Sequence, residues 1–124
     1  MSSIAELKNI TKVYSTPIGP LVANKDICLK LNPATIHGLI GENGAGKSTI
    51  IKILFGLEQP TSGSIQIAGK DQDIWNPQLA AKAGLGMVHQ HFMLAYQETA
   101  LDNIVFGSEK SIFGIRNRKR ETLI

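Results

Sequence analysis

Residues 41–49, with the sequence GENGAGKST, combine residue types and spacing that suit the binding of a triphosphate. The first eight fit the pattern G-x-x-x-x-G-K-[ST] without a mismatch. Three glycines can adopt backbone conformations that a side chain would block, so that successive N–H groups converge on phosphate oxygens: Gly41, Gly44 and Gly46. Lys47 adds an ammonium group for the β and γ phosphates, and Ser48 adds a hydroxyl group for Mg²⁺. We therefore predict a nucleoside triphosphate site in this segment, which we call the phosphate loop.

The segments on either side supply the context that the pattern requires. Residues 36–40 are mostly apolar and predict a strand that leads into the phosphate loop. A helix is predicted from Lys47, with apolar residues through Phe55 and an end at Gly56. The positive end of its dipole would point at the same anion. A dinucleotide-binding loop fits less well, because Thr49 stands where G-x-G-x-x-G needs its third glycine.

Further elements must position the phosphate loop, and together they predict an α/β fold. Residues 4–10 and 25–31 alternate as half-buried strands do and predict an antiparallel pair, in which Cys28 would be a small buried side chain. Residues 64–68 and 85–89 predict two more short strands, the first of them followed by a turn at 69–71. Two helices are predicted after caps, at 77–83 behind Asn76 and at 100–106 behind Thr99. Trp75 is predicted to be a packing residue, and His37 a structural one.

The formal charge of +3 comes entirely from the end of the chain. Residues 1–107 contain eight basic and eight acidic residues, whereas residues 108–124 contain five basic and two acidic ones. A solvated helix face or an unstructured end explains this basic tail better than a nucleic-acid site, because no aromatic residue is interleaved with the cluster of four basic residues at 116–120. The sequence has neither an apolar run of about 18 residues nor the features of a secretory signal, which favours a cytosolic location.

Four features in order resemble the nucleotide-binding domain of ATP-binding cassette (ABC) transporters. Tyr14 precedes the phosphate loop, the segment PTSGSI at 60–65 is similar to the family's P-x-x-G-x-I, and GMVHQ at 86–90 resembles its Q-loop entry. The resemblance implies a phosphate-loop NTPase core with an antiparallel β subdomain. It also implies that Tyr14 stacks on adenine, and that Ser48 and Gln90 contact Mg²⁺. The residues of the phosphate loop that it implies bind the nucleotide are Gly41, Asn43, Gly44, Ala45, Gly46, Lys47, Ser48 and Thr49.

The sequences of these motifs are similar to those in importers of simple sugars and nucleosides. Such a resemblance implies an ATP-binding subunit at the inner face of the cell membrane, which pairs with a second nucleotide-binding domain and with transmembrane permease subunits. Phe92, Met93 and Leu94 would then belong to a surface that docks the permease, although apolar residues after a strand equally often cover a core edge.

Three motifs of the family's second half do not occur in the sequence: the signature LSGGQ, the Walker B strand ending in Asp-Glu, and the switch histidine. Residues 1–107 therefore correspond to the N-terminal portion of the domain, and residues 108–124 to the start of its helical subdomain or to a disordered tail. No catalytic residue is assigned. We expect the chain alone to bind ATP but to hydrolyse it negligibly. The alternative is a non-catalytic or regulatory piece that holds nucleotide and docks a membrane partner without turnover.

Overall fold

The computed structural model describes residues 3–88, 94–105, 111–112 and 115–116. These residues fall into two compact units, with the division between Met87 and Val88. Among them, none of the helices combines the length and hydropathy that a membrane span needs.

The first unit contains a sheet of four antiparallel strands. The strands are β1 (Ala5–Thr16), β2 (Gly19–Leu31), β3 (Ser62–Ile67) and β4 (Lys70–Asp71), in the spatial order β2-β1-β3-β4. The antiparallel pair expected from the alternating pattern is confirmed, but β1 and β2 extend to a two-residue turn at Pro17 and Ile18. Tyr14 consequently lies within β1. The turn predicted at 69–71 is shorter than expected, because Lys70 and Asp71 pair with β3.

The prediction that Cys28 is buried is wrong. In β2 the side chains of Ile27, Leu29 and Leu31 pack against the core, and those of alternate residues point to the opposite face. Cys28 is therefore exposed, and its Sγ accepts a hydrogen bond from the Asn9 N–H group at 3.3 Å. The alternating pattern predicts the strand, but it does not show on which of the strand's two faces Cys28 lies.

Helix α1 (Lys47–Leu54) begins where the sequence predicts and contributes Ile50, Ile53 and Leu54 to the core. Its end is also confirmed, because Gly56 adopts a left-handed conformation with φ 72°. The same core cluster contains buried residues from β1 and β3 and from the segment that follows the sheet: Ala5, Leu7, Ile10, Ile65, Ile67, Trp75 and Ala80. The phosphate loop is thus anchored on one side by a helix that is packed into the core.

Two predicted strands are not formed. Residues 36–40 have no regular secondary structure, and the side chains of Ile36 and Ile40 are 102% and 95% exposed. Residues 85–88 are likewise irregular, and His89 lies outside the described residues. A strand depends on hydrogen bonds to a neighbouring strand. In the part of the chain that the structure describes, neither segment has such a neighbour. The family resemblance implies that such partners lie in the other half of the domain.

Helix α2 (Pro77–Lys82) confirms its predicted start. The Asn76 side chain accepts a hydrogen bond from the Leu79 N–H group at 2.9 Å, with proline at the first helical position. Trp75, just before the cap, is 3% exposed and donates from its indole nitrogen to the Leu54 carbonyl at 2.9 Å. Trp75 is therefore a packing residue, as predicted.

The second unit contains α3 (Ala100–Val105) and a short antiparallel pair, β5 (Ser111–Ile112) with β6 (Ile115–Arg116). Thr99 caps α3 by accepting a hydrogen bond from the Asp102 N–H group at 3.2 Å, as expected from the sequence. The prediction that α3 includes Phe106 falls on a residue outside the described ones, as do Phe92 and Met93.

Candidate functional site

The phosphate loop turns sharply just before α1. Gly44 and Gly46 have φ angles of 84° and 81°, which favour glycine over residues with a side chain. A Cβ atom at Gly46 would lie 2.3 Å from the Ala23 carbonyl oxygen. Glycine is therefore required at this position both for its backbone conformation and for the close approach to β2.

Helix α1 presents its N-terminal end at the loop. Gly46 is the N-cap residue, and the Ile50 N–H group donates to its carbonyl at 3.0 Å to close the first helical turn. The N–H groups of the first turn lack partners within the helix, and no acidic side chain in that turn offsets the dipole. This end of the helix is consequently suited to an anion.

The side chain of Lys47 folds back over the phosphate loop. Its Nζ donates to the carbonyl oxygens of Gly41 and Glu42 at 2.7 Å and 2.6 Å. An ammonium group has three donors, so it can hold loop carbonyls and still face an anion. Lys47 thus places a positive charge next to the N-terminus of α1.

A pocket of about 380 Å³ joins the phosphate loop to the β1–β2 pair. Its lining residues are Tyr14, Leu21, Val22, Ala23, Asn43, Gly44, Gly46, Lys47, Ser48 and Thr49. Seven of the ten residues predicted to bind nucleotide therefore lie around one cavity. Gly41 and Ala45 belong to the loop without lining the pocket, and Gln90 lies outside the described residues.

Several lining residues were not identified from the sequence. Leu21 is the register partner of Tyr14 across the hairpin, and Val22 is the partner of Val13. Because the side chains of facing residues lie on the same side of a sheet, Leu21 extends the apolar surface beside the tyrosine ring. Recognising the two-residue turn at Pro17 and Ile18 would have predicted this register from the sequence.

Lys12 is a further residue that the sequence did not single out. Its Nζ lies 5.0 Å from the centroid of the Tyr14 ring, within the range of a cation–π interaction. The same ammonium group is held by the Glu58 carboxylate at 3.1 Å and by the Gln59 carbonyl at 2.7 Å. Lys12 therefore covers part of the ring and ties it to the segment after α1.

Asn24 on β2 contacts the phosphate loop without lining the pocket. Its side chain is buried, with 5% exposure, and its Nδ2 donates to the Gly46 carbonyl at 3.3 Å. Among the residues that the structure describes, none donates a hydrogen bond to its Oδ1. A buried acceptor without a partner costs about 1–3 kcal/mol, so the position is not optimised for stability alone.

A second concavity of about 300 Å³ is less suited to a nucleotide. Its lining is mainly aliphatic, including Leu29, Leu31 and Ile51, with Asn32, Thr35 and His37 on one side. His37 is exposed, and its Nε2 lies 2.7 Å from the Thr35 hydroxyl. Among the described residues, no lysine or arginine lines this concavity, whereas a triphosphate requires cations or converging N–H groups. The pocket at the phosphate loop is therefore the better candidate.

A glycine-rich loop that leads into a packed helix, beside an antiparallel sheet, places the chain in the class of phosphate-loop nucleotide-binding proteins. Comparison with known proteins identifies the family. The model of the family described as "ABC transporter" matches residues 24–123, and the chain belongs to that family. Its fold is part of an ABC ATPase cassette, and this family generally binds ATP with Mg²⁺.

The relatives include two nucleoside importer subunits. The chain is 45% identical over 120 residues to the guanosine import ATP-binding protein NupO of Bacillus subtilis, covering 97% of this chain and 23% of that protein. It is 44% identical over 107 residues to the nucleoside import ATP-binding protein NupA of Lactococcus lactis, covering 86% of this chain and 20% of that protein. The chain thus spans about a fifth of the length of these relatives.

A solved structure shares the fold over most of the chain. It is the dimeric post-hydrolysis state of the ATP-binding cassette MJ0796 bound to ADP and Pi, which is 27% identical with a TM-score of 0.75. The match covers 95% of this chain and 53% of that cassette. The chain therefore corresponds in length to about half of a solved cassette.

Proposed function

We propose that this chain binds Mg-ATP in the pocket between Tyr14 and the phosphate loop. The observation that carries the proposal is the position of Tyr14, which lines the same cavity as Lys47 and Ser48 although 33 residues separate it from Lys47. A nucleotide needs an aromatic or apolar surface for its base and converging donors for its phosphates, and the two ends of this pocket provide them.

Each residue has a chemical role in this proposal. Tyr14 stacks on adenine, with Leu21 widening the apolar surface. The backbone N–H groups of the loop, from Asn43 through Thr49, donate to phosphate oxygens, and the Lys47 ammonium group compensates their charge. The Ser48 hydroxyl at the start of α1 is the Mg²⁺ ligand, with Gln90 as a further one. Bound Mg²⁺ would supply charge neutralisation for the triphosphate.

We further propose that the protein works as the ATP-binding subunit of an importer for a nucleoside or a simple sugar. The relatives NupO and NupA, a guanosine and a nucleoside importer subunit, support a nucleoside. The ribose import ATP-binding protein RbsA 2 of Escherichia coli O157:H7, 41% identical over 116 residues, supports a sugar. In this proposal a second ATP-binding subunit and transmembrane permease subunits are the partners, and the subunit lies at the cytoplasmic face of the membrane. Residues 92–94 are the proposed permease contact.

The Lys47→Ala variant tests nucleotide binding. Removing a charged donor should weaken Mg-ATP binding roughly 10- to 100-fold, which corresponds to about 1.5–3 kcal/mol. Isothermal titration calorimetry on the purified chain measures the Kd. Lys52→Ala is the matched control, because Lys52 is exposed in the last turn of the same helix and should leave the Kd unchanged. Equal affinity of wild type and Lys47→Ala, in a sample shown to be folded, would refute the assignment.

The transported solute is tested in the cells that encode the chain. Deletion of its gene should abolish uptake of either labelled guanosine or labelled ribose while leaving the other unaffected. Loss of neither would contradict the importer proposal without bearing on nucleotide binding.

The non-catalytic alternative is favoured by one specific observation: none of the ten residues that line the pocket is acidic. Hydrolysis in this family's manner needs a carboxylate that orients water. A chain that binds Mg-ATP with the predicted dependence on Lys47, but releases no phosphate even with its permease partner, would support a regulatory role.

A further inference from the structure

We infer that Asn24 is a positioning residue that fixes the phosphate loop relative to the β1–β2 pair, and so sets the spacing between the phosphate and base ends of the nucleotide site. The inference rests on the proposed binding of Mg-ATP in this pocket. It concerns a residue that does not line the pocket and that acts through Gly46.

The contact between Asn24 and Gly46 lies where the phosphate loop joins α1. Gly46 is both the N-cap of α1 and a left-handed residue with φ 81°, so the loop and the helix that follows it meet β2 through this residue. The Asn24 amide donates to the Gly46 carbonyl at 3.3 Å. The Ala23 carbonyl comes so close that a Cβ atom at Gly46 would lie 2.3 Å from it. Strand β2 and the phosphate loop are therefore in direct contact, and Asn24 supplies a directional bond there.

Stability does not explain an asparagine at this position. The Gly46 carbonyl already accepts the Ile50 N–H group at 3.0 Å, so it would keep a partner without Asn24. Within the described part of the chain, the Asn24 Oδ1 is buried and accepts no hydrogen bond. An apolar side chain of the same size would remove this uncompensated acceptor without leaving the carbonyl unpaired. The amide is thus better explained by the tether it forms than by folding energy.

The register of the hairpin connects this tether to the base end of the pocket. Asn24 pairs with Lys12 across β1 and β2, and the Lys12 ammonium group lies 5.0 Å from the centroid of the Tyr14 ring. Strand β1 therefore carries the Tyr14 ring and the lysine over it, and the paired strand β2 carries the asparagine that bonds to the phosphate loop. A ligand that touches both ends depends on their spacing, whereas a ligand that touches only the loop does not.

The Asn24→Leu variant separates these effects. It removes the donor and the unpaired oxygen while keeping a buried side chain of similar size. We expect the Kd for Mg-ATP to rise roughly five- to tenfold, the scale of one lost hydrogen bond. The Kd for magnesium tripolyphosphate, which lacks a base, should change by less than about twofold, and the thermal midpoint should stay equal or rise.

Asn76→Ala is the matched control, because it removes the side chain that caps α2 away from the pocket. It should lower the thermal midpoint and leave both dissociation constants unchanged. Unchanged Mg-ATP affinity in Asn24→Leu overturns the inference. So does an equal loss of affinity for both ligands together with a lower midpoint, since that is the signature of a merely structural role.

Failure of the proposed function has a different signature, namely a wild-type chain that binds neither ligand. In that case, hydrogen exchange of the amides at 46–49 still tests the tether without nucleotide. Faster exchange in Asn24→Leu than in wild type would support the contact between Asn24 and the loop, and equal rates would overturn it.

Discussion

The Gly46→Ala substitution adds one methyl group where the phosphate loop contacts β2, and the structure provides its control. Gly44 and Gly46 both have left-handed backbone conformations, with φ angles of +84° and +81°. A Cβ atom at Gly46 would lie 2.3 Å from the Ala23 carbonyl oxygen and 2.4 Å from the Asn24 Nδ2. A Cβ atom at Gly44 would have no heavy atom within 4 Å. The two substitutions therefore share the backbone strain and differ in the clash.

The expected free energies follow from this difference. Placing alanine in the left-handed region costs about 1–2 kcal/mol at either glycine. The clash at Gly46 adds about 1–3 kcal/mol, because its nearest atom belongs to the backbone of β2 and cannot rotate away as a side chain would. We therefore expect Gly44→Ala to lower the free energy of unfolding by about 1–2 kcal/mol and Gly46→Ala by about 2–5 kcal/mol. The larger loss is a substantial fraction of the roughly 5–15 kcal/mol that stabilises a typical domain.

Urea unfolding followed by circular dichroism measures both values, provided that the slope of the transition is the same in each variant. A folded fraction of Gly46→Ala should also bind Mg-ATP more weakly than Gly44→Ala, because relief of the clash must move the loop away from β2. Equal destabilisation by the two substitutions would refute the reasoning, since it would mean that the loop does not rest on β2 in solution.

Two further predictions concern the ends of the nucleotide. Lys12→Met keeps the aliphatic stem but removes the ammonium group over Tyr14. The affinity for Mg-ATP should therefore fall by about two- to fivefold, which is the scale of a cation–π contact. The affinity for tripolyphosphate should stay constant. Calorimetry with both ligands measures this, with the exposed Lys30→Met as control, and parallel loss for both ligands would contradict a role at the base. The purified chain should release phosphate from ATP no faster than its Lys47→Ala variant in a malachite-green assay, because the sequence lacks the Walker B carboxylate. Normal turnover by the wild-type chain alone would overturn that expectation.

Local chemistry determined the parts of the fold that the sequence predicted correctly. The start of α1 at Lys47, the left-handed end at Gly56 and the cap at Asn76 each depend on residues within a few positions of one another. The antiparallel pairing of β1 and β2 was predicted for a similar reason, because alternating residues on both sides of a turn favour a hairpin. Such features are set by backbone conformation and by hydrogen bonds close in sequence.

The wrong predictions concern features that depend on distant residues. The apolar segment 36–40 has the composition of a buried strand, yet Ile36 and Ile40 are exposed because a strand needs a neighbour that no local pattern supplies. Cys28 lies in a correctly recognised strand, but which face of that strand meets the core is decided by the residues packed against it.

The sequence by itself therefore determined the phosphate-loop pattern and the helix that follows it, since nine consecutive residues encode the required glycines, lysine and hydroxyls. It also determined the family, through four motifs in order along the chain. The tertiary structure places Tyr14 in one pocket with that loop, as the family resemblance implied, and it alone decided that Lys12 lies over the tyrosine ring and that Asn24 bonds to Gly46. These contacts join residues 2, 22 or 33 positions apart through the register of a hairpin and the packing of a helix on a sheet. Register and packing are properties of the whole core, and no single segment specifies them.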